Sequence, residues 1–118
     1  MRDYLFAVPT VGTKGLDDVI SRIFARSPTF TFIDVSNGEV NDVEVEVNEE
    51  AQLKQGSGPI VAKKLKDRGV NVVVIGELGP GVKTVLEMNE IKIIHVEPGS
   101  KVGEALDIAL EEMEKSES

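Results

Sequence analysis

Few residues in this 118-residue chain can do chemistry, and they recur in similar settings. Glycine and proline collect ahead of each stretch with helical periodicity: Val11-Gly12-Thr13-Lys14-Gly15, Gly56-Ser57-Gly58-Pro59, Gly76-Glu77-Leu78-Gly79-Pro80 and Pro98-Gly99-Ser100. Glycine lets the backbone approach a ligand closely, and proline at a first helical position gives up only an N–H that would be unpaired anyway. Free N–H groups and the positive dipole end at a helix N-terminus then favour anions. Ordinary strand-to-helix turns use the same residues, so it is the recurrence that points to a ligand.

Three side chains stand beside these loops. Arg26, next to Ser27 and Pro28, has a guanidinium that forks onto carboxylate or phosphate; its alternative role is a cation ending a helix, where the dipole favours it. Glu77 directly follows an apolar run, a place for a polar ligand contact or for a merely solvated carboxylate. His95 is the single histidine and lies near the end of an apolar strand. It reads as a hydrogen-bonded core residue or as one metal ligand.

Much chemistry is excluded. With no cysteine there is no disulfide, thiol catalysis, cysteine zinc site or thiolate-bound iron–sulfur cluster within one chain. Gly-Lys-Ser and Gly-Lys-Thr are absent, and Gly76, Gly79 and Gly81 have the wrong spacing for a dinucleotide fingerprint. A net charge of −8 and a pI near 4.6 repel phosphate backbones, which argues against nucleic acid as a partner. A two-metal nuclease needs several converging carboxylates, and the first strand offers only Asp3 at its start. Apolar runs fall short of the roughly 18 residues of a membrane span, and the run at Leu5 is too short for a signal peptide. A soluble, cytoplasmic protein without membrane contact is the expectation.

These residues need a frame. Residues 4–8 form a short apolar run bounded by Pro9, the pattern of a buried strand. Leu16, Val19, Ile20, Ile23 and Phe24 fall at helical spacing with Asp17 and Asp18 in the first turn, which predicts a helix ending near Arg26. Residues 28–35 alternate, with Phe30 and Phe32 on one face and Thr31, Ile33 and Val35 on the other. Asn37-Gly38 is a two-residue hairpin signal. Val43, Val45 and Val47 then alternate with Glu44 and Glu46, an antiparallel strand with one wet face whose acids discourage edge pairing.

Beyond the hairpin, strand and helix alternate. Residues 60–66 are predicted helical, 71–75 a buried strand, 80–88 helical and 91–96 a strand. Val102, Ala105, Leu106, Ala109 and Met113 make one last helical stripe, and residues 111–118 read as a fraying polar tail. The sum is one domain over residues 1–118, a three-layer α/β/α sandwich on a five-stranded mixed sheet. If the hairpin's first strand alone runs against the others, all the glycine loops and Arg26 meet at one sheet edge, where α/β folds usually bind ligands.

In this order the motifs resemble those of the dinitrogenase iron–molybdenum cofactor biosynthesis proteins. The resemblance covers nearly the whole chain. It rests on Ala7-Val8-Pro9 with Gly15-Leu16-Asp17-Asp18, and on Ser21-x-x-Phe24-Ala25-Arg26-Ser27-Pro28-x-Phe30. Gly56-x-Gly58-Pro59 with Ala62 and Leu65, and Gly69-Val70-x-x-Val73-x-x-Gly76-x-x-Gly79-Pro80, continue it. Gly99-Ser100-x-Val102-x-Glu104-Ala105 closes the match.

The resemblance implies a ribonuclease H-like sheet of order 3-2-1-4-5 with strand 2 antiparallel. It also implies carriage of an iron–molybdenum–sulfur cofactor or its precursor, without turnover, in exchange with cofactor-biosynthesis proteins. The contacts would come from Arg26, Ser27, Gly56, Ser57, Gly58, Gly76, Glu77, Gly79, Gly99 and Ser100, with His95 as the metal-ligand candidate, in a monomer or homodimer. Ile23 and Gln55 stand where many relatives have histidine. The alternative cargo is another small phosphorylated or carboxylated anion.

Overall fold

In the computed structural model, which describes residues 3–53, 57–77, 79 and 81–117, the short apolar runs become strands buried on both faces. β1 (Asp3–Thr10) and β4 (Val72–Ile75) lie side by side in the sheet, parallel, flanked by β2 (Thr29–Ser36) and β5 (Lys92–His95). β3 (Glu39–Val47) completes the order β3-β2-β1-β4-β5. β2 runs antiparallel to both β1 and β3, while β4 pairs parallel with β5. This is the topology implied by the family resemblance.

The β2–β3 turn is the one the sequence predicts, with Asn37 at φ 54° and Gly38 at φ 80°, the left-handed pair a tight two-residue hairpin requires.

Three helices cover the two faces. α1 (Ser57–Arg68) and α2 (Val82–Met88) pack Val61, Ala62, Leu65 and Leu86 against Ala7, Phe30, Phe32, Val73 and Ile75. On the other face α3 (Val102–Glu117) sets Val102, Ala105, Leu106, Ala109 and Met113 against Phe6, Val8, Ile33, Val35, Val72, Val74 and Ile94. β4 therefore divides its residues between both cores. Each fully buried aliphatic side chain contributes about 1.5–3 kcal/mol over leaving it exposed.

Two sequence expectations need correction. Residues 111–117 do not fray: α3 continues to Glu117, because Met113 is a core residue and Lys92 Nζ donates to Ser116 Oγ at 2.6 Å. The helix expected over residues 16–24 does not form either. Only a 3₁₀ turn, Gly15–Asp17, is present, and Arg26 terminates no helix.

The reason lies in the backbone partners. Asp18, 3% exposed, accepts N–H bonds from Gly12 and Lys14 at 3.1 Å on Oδ2 and from Val19 at 2.8 Å on Oδ1. Its own carbonyl accepts from Val102 N–H at 2.9 Å, while Ser21 N–H donates to Pro9 O at 2.8 Å. The groups an α-helix would bond internally are thus committed to β1 and to the start of α3. The segment instead crosses the end of the sheet, burying Ile20 in the α3-side core and Phe24 in the α1-side core.

Replacing Asp18 with alanine should lower unfolding stability by about 3 kcal/mol in urea titration, the scale of charged hydrogen bonds lost to buried donors. Asp18→Asn keeps an acceptor oxygen and should lose less. A wild-type midpoint for Asp18→Ala would show that these amides find water instead.

Candidate functional site

With β2 reversed, the carboxyl ends of β1, β3, β4 and β5 and the start of β2 all face one edge. The loops there are tied to one another. Ile20 N–H donates to Ser100 O at 2.9 Å, and Gly99 N–H returns a bond to Ile20 O at 3.2 Å. Asn48 N–H donates to Pro28 O at 3.0 Å. Beneath them Thr10, Thr29 and Thr31 share buried hydroxyl hydrogen bonds of 2.6 and 3.0 Å, so the edge has a polar and fully bonded floor.

The residues expected to hold a ligand separate into two kinds. Gly76, Gly99, Ser100 and Ser27 build the edge. A Cβ on Gly76 would lie 2.9 Å from Pro98 Cγ and 3.0 Å from its Cα, so this glycine serves packing. Gly99 sits at φ +82°. Its N–H is committed to Ile20, and both the N–H and the Oγ of Ser100 donate to Glu97 O. Ser27 is buried and spends its Oγ on Thr29 O at 2.5 Å. Gly99, Ser100 and Ser27 therefore have no donor left over for an anion.

Gly58 and Gly79 behave differently. A Cβ on Gly58 would meet nothing within 4 Å, and one on Gly79 only Val82 Cγ2 at 3.9 Å, with neither backbone in the left-handed region. The fold does not require glycine there, which leaves room in front of α1 and beside α2. Ser57 is buried as the first residue of α1. Gly56 lies outside the described residues, as do Gln55 and Pro80.

Arg26 is exposed on the segment that crosses the edge, displayed between two anchored neighbours. Asn48 Nδ2 donates to Ala25 O at 2.8 Å and to Ser27 O at 2.9 Å, clamping the backbone on either side of the arginine. Sequence reading missed Asn48. Its signal was a lone asparagine closing a strand ahead of an acidic pair, and Glu50 N–H indeed donates to Asn48 Oδ1 at 3.2 Å. Glu77 is exposed just past β4. His95 is exposed at the end of β5, which removes the core-histidine reading. Among the described residues no three His, Cys, Asp or Glu side chains are grouped to hold a metal ion.

The cations sort by position. Lys63, Lys64, Lys66 and Arg68 of α1 and Lys115 of α3 form ion pairs, and Lys92 bonds Ser116. Among the described residues, Lys14, Arg22, Arg26, Lys83 and Lys101 have no ion-pair or hydrogen-bond partner for their side chains. All of these stand at the loop edge, on the segments that follow β1, β4 and β5 or lead into β2. Asp17, Asp18, Glu49, Glu50, Glu77, Glu97 and Glu104 share that end, so its unpaired cations stand among carboxylates and the edge as a whole is not positively charged.

A separate groove of about 280 Å³ runs between α1 and the β2–β3 pair, floored by Phe30, Phe32, Val61 and Leu65. Its cations are engaged. Arg68 lies 3.7 Å over the Phe32 ring and pairs with Glu44 and Glu46, and the hydrogen bond that Lys64 donates to Glu50 holds its ammonium above its usual pKa. The groove is a poor anion site for that reason. Among the described residues, no helix is long and apolar enough to cross a membrane.

Comparison with known proteins agrees with this frame. The family model described as dinitrogenase iron–molybdenum cofactor matches residues 6–112. An uncharacterized protein of Methanocaldococcus jannaschii is 26% identical over 99 residues, 83% of each chain. The apo form of the orange protein from Desulfovibrio gigas superposes with a TM-score of 0.81 at 27% identity, covering 92% of this chain and 88% of that one. The NMR structure of a Thermotoga protein provisionally named NifB gives 0.73 at 32% identity, with the same coverage.

Two predictions distinguish the builders from the open positions. Gly76→Ala should lower the melting temperature by forcing Pro98 aside, whereas Gly79→Ala should leave it unchanged; equal melting temperatures would contradict the sorting. Asn48→Asp turns a donor into an acceptor facing two carbonyls, at a cost of about 1–3 kcal/mol for the stranded groups. Native-state trypsin should then cut after Arg26 faster than in wild type, and an unchanged rate would show that Asn48 does not hold the loop.

Proposed function

The chain belongs to the dinitrogenase iron–molybdenum cofactor family, and we propose that it is a non-catalytic carrier whose cargo is an iron–molybdenum–sulfur cofactor or its precursor, held at the loop edge of the sheet. The observation that carries this reading is the segregation of cations. In a chain of charge −8, the lysines and arginines left without partners among the described residues all stand at that edge. An anionic cluster finds there Arg26, Lys14, Arg22, Lys83 and Lys101, with open space at Gly58 and Gly79. The solved orange protein is an apo form, which supports a ligand-bound counterpart in that relative.

The residue set favours outer-sphere holding. Without cysteine, and with one histidine per chain, the protein cannot encase iron in thiolates or paired imidazoles. Charge-assisted hydrogen bonds from guanidinium and ammonium groups supply the attraction. Glu77 and His95, both exposed at this edge, are our candidates to reach a metal directly, with Asp17 and Glu97 exposed at the same end. Such a hold is reversible, as a carrier needs, because no protein–sulfur bond must break for release.

A second reading has an observation of its own. Ile23, 51% exposed on the crossing segment, offers no ligating atom, and no three-ligand group occurs among the described residues. That composition favours a small phosphorylated or carboxylated anion, which needs donors and no ligating side chains.

Anaerobic titration with isolated iron–molybdenum cofactor tests the two. Visible colour and metal co-eluting with the protein on gel filtration is the expected result. A colourless protein that binds inorganic phosphate instead would replace the first reading with the second. In the cofactor titration, Arg26→Ala should weaken binding by about 1.5–3 kcal/mol without unfolding the chain. Unchanged affinity would remove the arginine from the site.

A further inference from the structure

One long side of the sheet is left open. β3 is the outermost strand of the order and pairs only with β2. Alternate N–H and C=O groups of such a strand point away from its single neighbour. Among the described residues, none of these groups in residues 39–47 has a backbone partner outside the ladder with β2. The opposite edge strand, β5, is four residues long, whereas β3 is nine, with no proline or lysine to blunt it. A register shift at Asn41 leaves residues 42–47 as its straight run.

Within that run the sequence alternates strictly. Asp42, Glu44 and Glu46 stand on the face that carries Phe30 and Phe32, and Val43, Val45 and Val47 on the other. Asp34 lies directly opposite Asp42 on β2, and both are exposed with no ion pair or hydrogen bond among the described residues. Like charges so placed destabilise a sheet. Asp34 and the three β3 acids share this face, and the cation that pairs there is Arg68, with Glu44 and Glu46. Lys64 is held by Glu50. On the valine face the Gly15–Asp17 turn meets Val43, and the charges it brings, Lys14 and Asp17, are one of each sign.

We propose that β3 is a docking edge for an extended basic segment of a partner protein, which joins the sheet as a sixth strand. The open N–H and C=O groups specify a strand and not a free cation, and the charge of the face specifies its sign. Lysines or arginines at every second position reach Asp42, Glu44 and Glu46, while the apolar residues between them lie along Val43, Val45 and Val47. A second copy of this chain does not fit, because two-fold pairing of β3 with itself sets these carboxylates against one another. None of residues 42–47 is a cargo contact, so docking and cargo binding are tested separately.

The test titrates a fluorescein-labelled octapeptide of alternating lysine and valine with the full chain at low salt, read by anisotropy. Saturable binding that weakens as salt rises is expected, with amide shift changes on NMR concentrated in residues 39–47. The same octapeptide with every backbone nitrogen methylated keeps its charge but has no N–H to give, and should not bind. Asp42→Lys, at an exposed position facing Asp34, should melt no lower than wild type and weaken octapeptide binding about tenfold. No binding at low salt, equal binding of the methylated peptide, or undiminished binding by Asp42→Lys each overturns the docking edge. So does equal binding of an octapeptide in which glutamate replaces every lysine.

Discussion

One buried carboxylate organises the functional end of this protein. Asp18 draws the N–H groups of Gly12, Lys14 and Val19 to its two oxygens and offers its carbonyl to the first residue of α3. Burying a charge is expensive unless hydrogen bonds replace its water, and three backbone donors do so here. The local consequence is that residues 18–28 are pinned across the end of the sheet. Ile20 is fastened into one core and Phe24 into the other, leaving Arg22, Ile23 and Arg26 displayed between. Arg22 and Arg26 inherit their positions from this buried side chain.

Charge partition makes the rest of the edge intelligible. Exposed ion pairs such as those of Lys63 and Lys66 add little stability, typically about 0–1 kcal/mol. Their effect on recognition is larger, because they silence cations that would otherwise attract anions elsewhere. Arg68 is the fullest case, committed to Glu44, Glu46 and the Phe32 ring. At physiological salt, fields fade over about 8 Å, so a nearby unpaired cation matters more than a net charge of −8 summed over the molecule. An acidic protein can therefore present an anion site, provided its unpaired cations are together.

Sequence reading recovered what depends on local chemistry and burial. Asn37-Gly38 adopts the turn its residue types favour, and the Phe30/Phe32 and Ile33/Val35 faces of β2 pack as the alternation predicts. It failed where hydrogen-bond partners are remote in sequence. Periodicity correctly marked Ile20 and Phe24 for burial, but it reports which side chains hide and not which backbone groups pair. The partners of residues 18–21 include Pro9, Gly99, Ser100 and Val102, invisible in a local window. The site glycines show the same limit. Gly76 and Gly58 look alike in sequence, yet one abuts Pro98 and the other faces open space. Asn48 escaped notice because its clamp acts on Ala25 and Ser27, far away along the chain.

The absence of thiols gives the proposed function its physical character. A cluster ligated by cysteine leaves its protein only when metal–sulfur bonds exchange. One held by amides, a guanidinium and ammonium groups leaves when a few hydrogen bonds are given up, each worth about 1.5–3 kcal/mol when charged. Those bonds must also offset the entropy of association, so each one lost shifts affinity by about tenfold or more. Affinity in such a site is set by how rigidly its donors are presented, and rigidity here comes from Asp18 and Asn48. On the proposed function, the crossing segment is thus the element on which both holding and release would depend: it fixes Arg26 in place while committing no covalent bond to the cargo.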